Sequence, residues 1–178
     1  MSRLQPATPR GRVLAAIGLA GAGAFLVVLG IVLLGSSGAE PAAPVSLTRA
    51  LARADAAVAP FTGLTSTVVR VGATRLAVVV ADQESERVQG LRGRSDVGPY
   101  DGELFAFDAS TETAFTMAGV RVALDVGFYD ARGRLVDRIR MTPCTGTDAT
   151  CPRYQSGGSF RYALETLAGG LPRGDLSG

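Results

Sequence analysis

The sequence predicts a mostly β domain, a sandwich or barrel-like fold with one short helix, preceded by one N-terminal transmembrane helix. Three observations carry this expectation. Residues 13–34 run for twenty-two positions without a charge or a proline, and roughly twenty apolar residues suffice to cross a bilayer as a helix. Beyond residue 67, short runs rich in Val, Phe, Leu and Tyr alternate with Gly- and Asp-containing turns, as expected of strands. Only residues 82–91 break that pattern with a helical one.

The elements follow in chain order. Arg3, Arg10 and Arg12 precede the apolar run, while Gly35, Ser36, Ser37, Gly38 and Glu40 follow it. The positive-inside rule then keeps residues 1–12 in the cytoplasm and places the remainder outside. A competing reading is a secretory signal cut near Ala39, with Ser37 and Ala39 as the small residues of the site. Against it, the run is longer than the 7–15 apolar residues usual in a signal peptide. No Cys follows the run to carry a lipoprotein anchor. Residues 35–66, with Pro41, Pro44 and Pro60 as breakers, read as a flexible linker. Within it Ser46 caps a short Ala-rich helix over 47–58 with little apolar payload, expected as a mobile stalk.

The folded domain is expected over 67–178. Residues 67–71 and 75–81 read as a hairpin around Gly72-Ala73. Asp82 caps a helix to Leu91, with Glu84 and Glu86 in its first turn and Gly90 and Gly93 ending it. Residues 104–107 and 114–117 are short apolar strands. Residues 122–129 alternate, with Val122, Leu124, Val126 and Phe128 on one side and Ala123, Asp125, Gly127 and Tyr129 on the other. After the 130–133 turn, a returning strand over 135–141 turns Leu135, Ile139 and Met141 inward and Arg138 and Arg140 outward. A last strand runs over 160–167.

Composition narrows the chemistry. The chain has no Lys and no His, and is rich in Ala, Gly and Arg, as a GC-rich genome such as an actinobacterium's would encode. Triads using His, His-ligated zinc, Schiff-base lysines and P-loops are therefore excluded. All sixteen acidic residues and fifteen of the eighteen arginines lie beyond the apolar run. The exported part is near neutral, without the clustered basic face that nucleic acid requires. Cys144 and Cys151 read as a disulfide of an oxidising compartment. They lack Cys-x-x-Cys spacing and are too few for a metal site, so no metal and no cofactor is expected.

The ordered motifs resemble the domain of unknown function 192 family over about residues 76–175. The family's helix end, Gly-Leu-Met-x-Arg, is matched by Gly90-Leu91-Arg92-Gly93-Arg94, and its Gly-Met-Leu-Phe-x-Phe by Gly102-Glu103-Leu104-Phe105-Ala106-Phe107. Of Phe-Trp-Met-Lys-Asn-Thr and Ile-Pro-Leu-Asp-Ile-x-Phe, the chain keeps Phe115, Met117, Leu124, Asp125 and Phe128. Asp130, Gly133, Tyr154, Tyr162-Ala163-Leu164-Glu165, Ala168-Gly169 and Gly174-Asp175 continue the series. Thr116, Ala118, Gly119 and Val120 replace the family's Trp, Lys, Asn and Thr, and Ala123 its Pro. Contacts made by those side chains are lost here. The resemblance implies a fold and an exported location, and no reaction.

Five residues stand out. Asp125 sits mid-strand, where carboxylates are disfavoured, and should take hydrogen bonds from Arg94 or from turn amides. Glu165 should pair with Arg161 or Arg94. Phe115 and Met117 fill the core or line a groove. The leading expectation is a non-catalytic binding or interaction module at the cell envelope. It would have the membrane as one partner, an unidentified envelope ligand or protein as another, and no nucleic acid. The alternative is an envelope hydrolase whose carboxyls Asp125 and Glu165 converge in one cleft, as glycosidic cleavage requires.

Overall fold

The computed structural model describes residues 45–178. The cytoplasmic tip, the apolar run over 13–34 and the first part of the expected linker lie outside the described residues. Among the described residues, no helix is long and apolar enough to cross a membrane.

The domain is mostly β. Helix α1 (Val45–Ala52) leads into β1 (Asp55–Ala56), which pairs with β2 (Thr65–Val71). β2 and β3 (Thr74–Ala81) form the expected hairpin, with Val71 opposite Thr74 across Gly72 and Ala73. Gly72 has φ +57°, and a Cβ there would approach the Arg173 carbonyl oxygen to 2.6 Å, so no other residue suits the turn. Helix α2 (Glu84–Gln89) follows. Its cap is Gln83 rather than Asp82, because the Glu86 carboxylate accepts from the backbone N–H of both Asp82 and Gln83. Gly90, at φ +44°, ends it.

α2 lies in the crossover that lets β4 (Gly102–Thr111) run parallel to β3. β5 (Phe115–Thr116), β6 (Leu124–Tyr129), β7 (Leu135–Met141), β8 (Arg153–Tyr154), β9 (Phe160–Leu167) and β10 (Leu176–Ser177) complete the fold. The main sheet runs β1-β2-β3-β4-β9-β6-β7, with β10 also on β2; β5 and β8 form a separate pair. The Leu176 N–H donates to the Gly133 carbonyl at 2.7 Å, and the Leu135 N–H to the Asp175 carboxylate at 3.0 Å. β10 thereby joins β2 to the β6–β7 turn, and the sheet curls toward closure.

Both faces of that sheet are covered. One carries Val79, Phe105, Leu124, Val126, Phe128, Met141, Phe160 and Ala163. The other carries Val69, Val71, Val78, Leu104, Tyr129, Tyr162 and Leu164, with Leu47, Leu171 and Leu176 packed among them. β6 is consequently buried along its whole length, not on one side only. At the sheet edge, a bulge sets Asp137 opposite Phe128 and Leu135 opposite Tyr129, with Val136 between them. Leu135, expected inward, is 39% exposed.

The expected linker needs correcting over 45–66. The helix spans Val45–Ala52 rather than 47–58, and Leu47 is fully buried. Phe61 is buried in the other core, and the Thr67 hydroxyl donates to the Ala50 carbonyl at 3.0 Å. Proline- and alanine-rich composition suggested a stalk, but two well-placed large apolar residues dock the segment on the sheet.

Candidate functional site

The site begins with the pleat. β4 and β9 pair antiparallel, with Glu103 opposite Glu165 and Phe105 opposite Ala163. Alternate residues share a face, so Glu103, Phe105 and Phe107 stand in one row beside Glu165. Directly opposed side chains lie within contact range. At Gly102 the β9 backbone comes so close that a Cβ there would fall 2.2 Å from the Glu165 carbonyl oxygen.

Glu103 is 1% exposed and Glu165 4% exposed, and the Glu103 Oε2 atom has no hydrogen-bond partner. Burial pushes the Glu103 carboxyl from 4.5 up to about 8, against the lowering field of Arg94 and with the raising field of Glu86. Burial, and then the Glu103 charge, push Glu165 up to about 8. Two opposed carboxyls in a dry site cannot both ionise readily. At neutral pH this pair keeps its protons, and a protonated carboxyl is a hydrogen-bond donor.

Glu165 forms part of the wall of a groove of about 540 Å³ between α2, β4 and the β5–β8 pair. Phe105, Phe107 and Phe115 make its floor, with Val88, Leu91 and Val120 beside them. Phe105 and Phe115 meet edge to face, with ring centroids 5.1 Å apart. Arg87, Arg92, Arg153, Glu84 and Asp148 stand at the sides. The Arg87 guanidinium lies 4.9 Å above the Phe107 ring and donates to the carbonyls of Asp82 and Ala106. Arg92 is paired with Asp148 at 2.6 Å and donates to the carbonyls of Val88 and Ala118. Asp148 rides on the loop closed by the Cys144–Cys151 disulfide.

The structure thus brings Phe115 and Glu165 together and leaves the other three expected residues elsewhere. Met117 is fully buried in the core. Arg94 lies over the Phe61 ring at 3.9 Å and donates to the Pro60 carbonyl at 2.9 Å. Asp125 is opposite Thr166, whereas Glu165 is opposite Val126. The two carboxyls therefore point to opposite faces of the sheet, and the convergent pair needed for hydrolysis does not exist. The charged partner of Asp125 is Arg140, which grips it through two nitrogens, and the Gly169 N–H donates to it at 2.7 Å. Turn-amide capture was expected; Arg94 as the cation was not the outcome. Burial alone would raise the Asp125 carboxyl, but the Arg140 and Gly169 hydrogen bonds outweigh it and hold it below the usual range.

Sequence reasoning passed over Glu103. Its signal was the spacing of Glu103, Phe105 and Phe107, which places a carboxyl on the phenylalanine face of one strand. The cross-strand neighbour of Glu165 is this second carboxyl. That contact depends on β4–β9 pairing, which no local pattern encodes.

The family model described as DUF192, an uncharacterized ACR, matches residues 67–177. The chain belongs to the DUF192 family. No curated protein matches it. Among solved structures it is similar to a protein of unknown function from Novosphingobium aromaticivorans, at 22% identity and a TM-score of 0.58, covering 71% of this chain and 94% of that one. It is also similar to a putative transcription regulator from Sinorhizobium meliloti, at 23% identity and a TM-score of 0.52, covering 62% and 90% respectively. At such identity these likenesses speak to the fold alone.

Proposed function

We propose that this DUF192 member is a membrane-anchored, extracytoplasmic binding module of the cell envelope, without catalysis of its own, and that its ligand seat is the groove against the β4–β9 face. The observation that carries the reading is the groove itself. At about 540 Å³ it falls within the range of small-molecule sites, roughly 300–1,000 Å³. Its phenylalanine floor offers an apolar body a surface, and the charged and hydroxyl side chains around it offer orienting contacts. One buried carboxyl, not two, reaches its wall, which disfavours paired-carboxylate hydrolysis. The apolar run over 13–34 and the arginines before it support anchoring with the domain outside.

The test is thermal melting of the oxidised full chain against a panel of glycans, cell-wall fragments and small organic anions. A dose-dependent rise is expected for one class, since a ligand that binds only the folded state stabilises it. Thr116 lines the groove, and Thr116→Trp should block it and abolish that rise. An equal rise in the blocked variant, or no rise across the panel, would remove the groove as the ligand seat.

A further inference from the structure

The groove's charges are unequally committed, and this selects among ligands. Arg92 is neutralised by Asp148, and Arg87 is held by two carbonyls and a phenylalanine ring. Arg153 is different. It stands exposed on β8, opposite Thr116 on β5, and lines the groove. Among the described residues its guanidinium has no hydrogen bond or ion pair. Three arginines face Glu84 and Asp148 around the groove. With Glu165 keeping its proton, the balance at neutral pH is one net positive charge. Phenylalanine faces attract cations as well, but a cationic ligand would meet these guanidiniums. At the wall, a carboxyl more than nine-tenths buried has a donor to offer to an acceptor atom.

Resting on the groove reading above, we propose that the occupant is a free, small organic anion: its apolar or aromatic body lies over Phe105, Phe107 and Phe115, its oxyanion pairs with Arg153, and an acceptor atom faces Glu165. A guanidinium suits an oxyanion because it presents paired donors in one plane. The groove volume fits a drug-sized molecule taken up whole, whereas a bilayer lipid would bring only its headgroup.

The experiment compares three probes with the same phenylalkyl body on the full chain in phosphatidylcholine nanodiscs, with empty nanodiscs subtracted: phenylbutyrate, its isosteric amide, and phenylbutylamine. Phenylbutyrate should bind about tenfold more tightly than the amide, the scale of a hydrogen bond to a charged group, and the amine should bind most weakly. Arg153→Gln should bring the carboxylate-to-amide ratio close to one, and Arg153→Lys should keep a preference for the anion. Equal binding of acid and amide would overturn the inference while leaving the groove as a binding seat. So would tightest binding of the amine, or an unchanged ratio in Arg153→Gln. No binding by any probe would overturn the inference, while the groove itself stands or falls on the melting panel and Thr116→Trp. Loss of phenylbutyrate binding in phosphatidylglycerol nanodiscs would show a lipid headgroup competing at Arg153 and would overturn the assignment to a free molecule.

Discussion

The opposed glutamates make the stability of this protein respond to pH in an unusual direction. In the unfolded chain both carboxyls ionise near 4.5; in the fold they hold their protons to about 8. Across that window the folded state binds more protons than the unfolded one, so stability falls as pH rises. The stabilisation is fully present below about 4.5 and is lost as pH climbs through about 8. Glu165→Gln retains size and hydrogen-bonding capacity but cannot ionise. Its melting temperature should match the wild type at acidic pH and exceed it in mildly alkaline buffer, with a flatter slope between. Parallel melts of the two proteins across this range would check it, and identical slopes would show that Glu165 does not carry the effect. Asp125 works in the opposite sense. Its carboxyl is held below 3.8 by Arg140 and Gly169, so its stabilisation is lost only as pH falls through that lowered value, outside the glutamate window.

At the scale of elements, α1 separates two views of the N-terminal segment. A stalk helix would tolerate truncation of Leu47 within about 0.5 kcal/mol, as exposed positions do. A docked helix would not. Leu47 is fully buried among Val69, Val71 and Leu176. Leu47→Ala should therefore cost about 2–5 kcal/mol, the range for large apolar residues cut back in a core, measured as a lowered urea midpoint. The contrast shows where local reading succeeds. The β2–β3 hairpin, α2 and the Phe160–Leu167 strand were legible because each declares itself within ten residues, by alternation, by a turn glycine or by a cap. The docking of Leu47, the parallel β3–β4 pair and the burial of both faces of β6 depend on partners far along the chain. The site divides in the same way. Phe115 and Glu165 could be marked from sequence, but the pairing that joins Glu165 to Glu103 and sends Asp125 to the other face is set by strand order. Arg140 could not be told from Arg94 as the partner of Asp125, because only the β6–β7 register places it there.

At the scale of the whole molecule, residues 13–34 are expected to hold the domain at the membrane and not to be removed. The twenty-two uncharged residues exceed what a signal peptidase substrate needs and match what a spanning helix needs. Retention is therefore expected. The oxidised Cys144–Cys151 pair belongs to the same expectation, since disulfides persist outside the reducing cytoplasm. Two measurements test it together. An alkaline phosphatase fusion after residue 44 should be active, because that enzyme matures only when exported, while the same fusion to β-galactosidase should be inactive. N-terminal sequencing of the mature chain should begin within residues 1–12, and the protein should remain with the membrane after an alkaline wash. A mature terminus at Glu40 with the domain in the soluble fraction would make this a secreted protein. An inactive phosphatase fusion would place the domain in the cytoplasm, and with it the groove would face metabolites of the cell interior instead of the envelope.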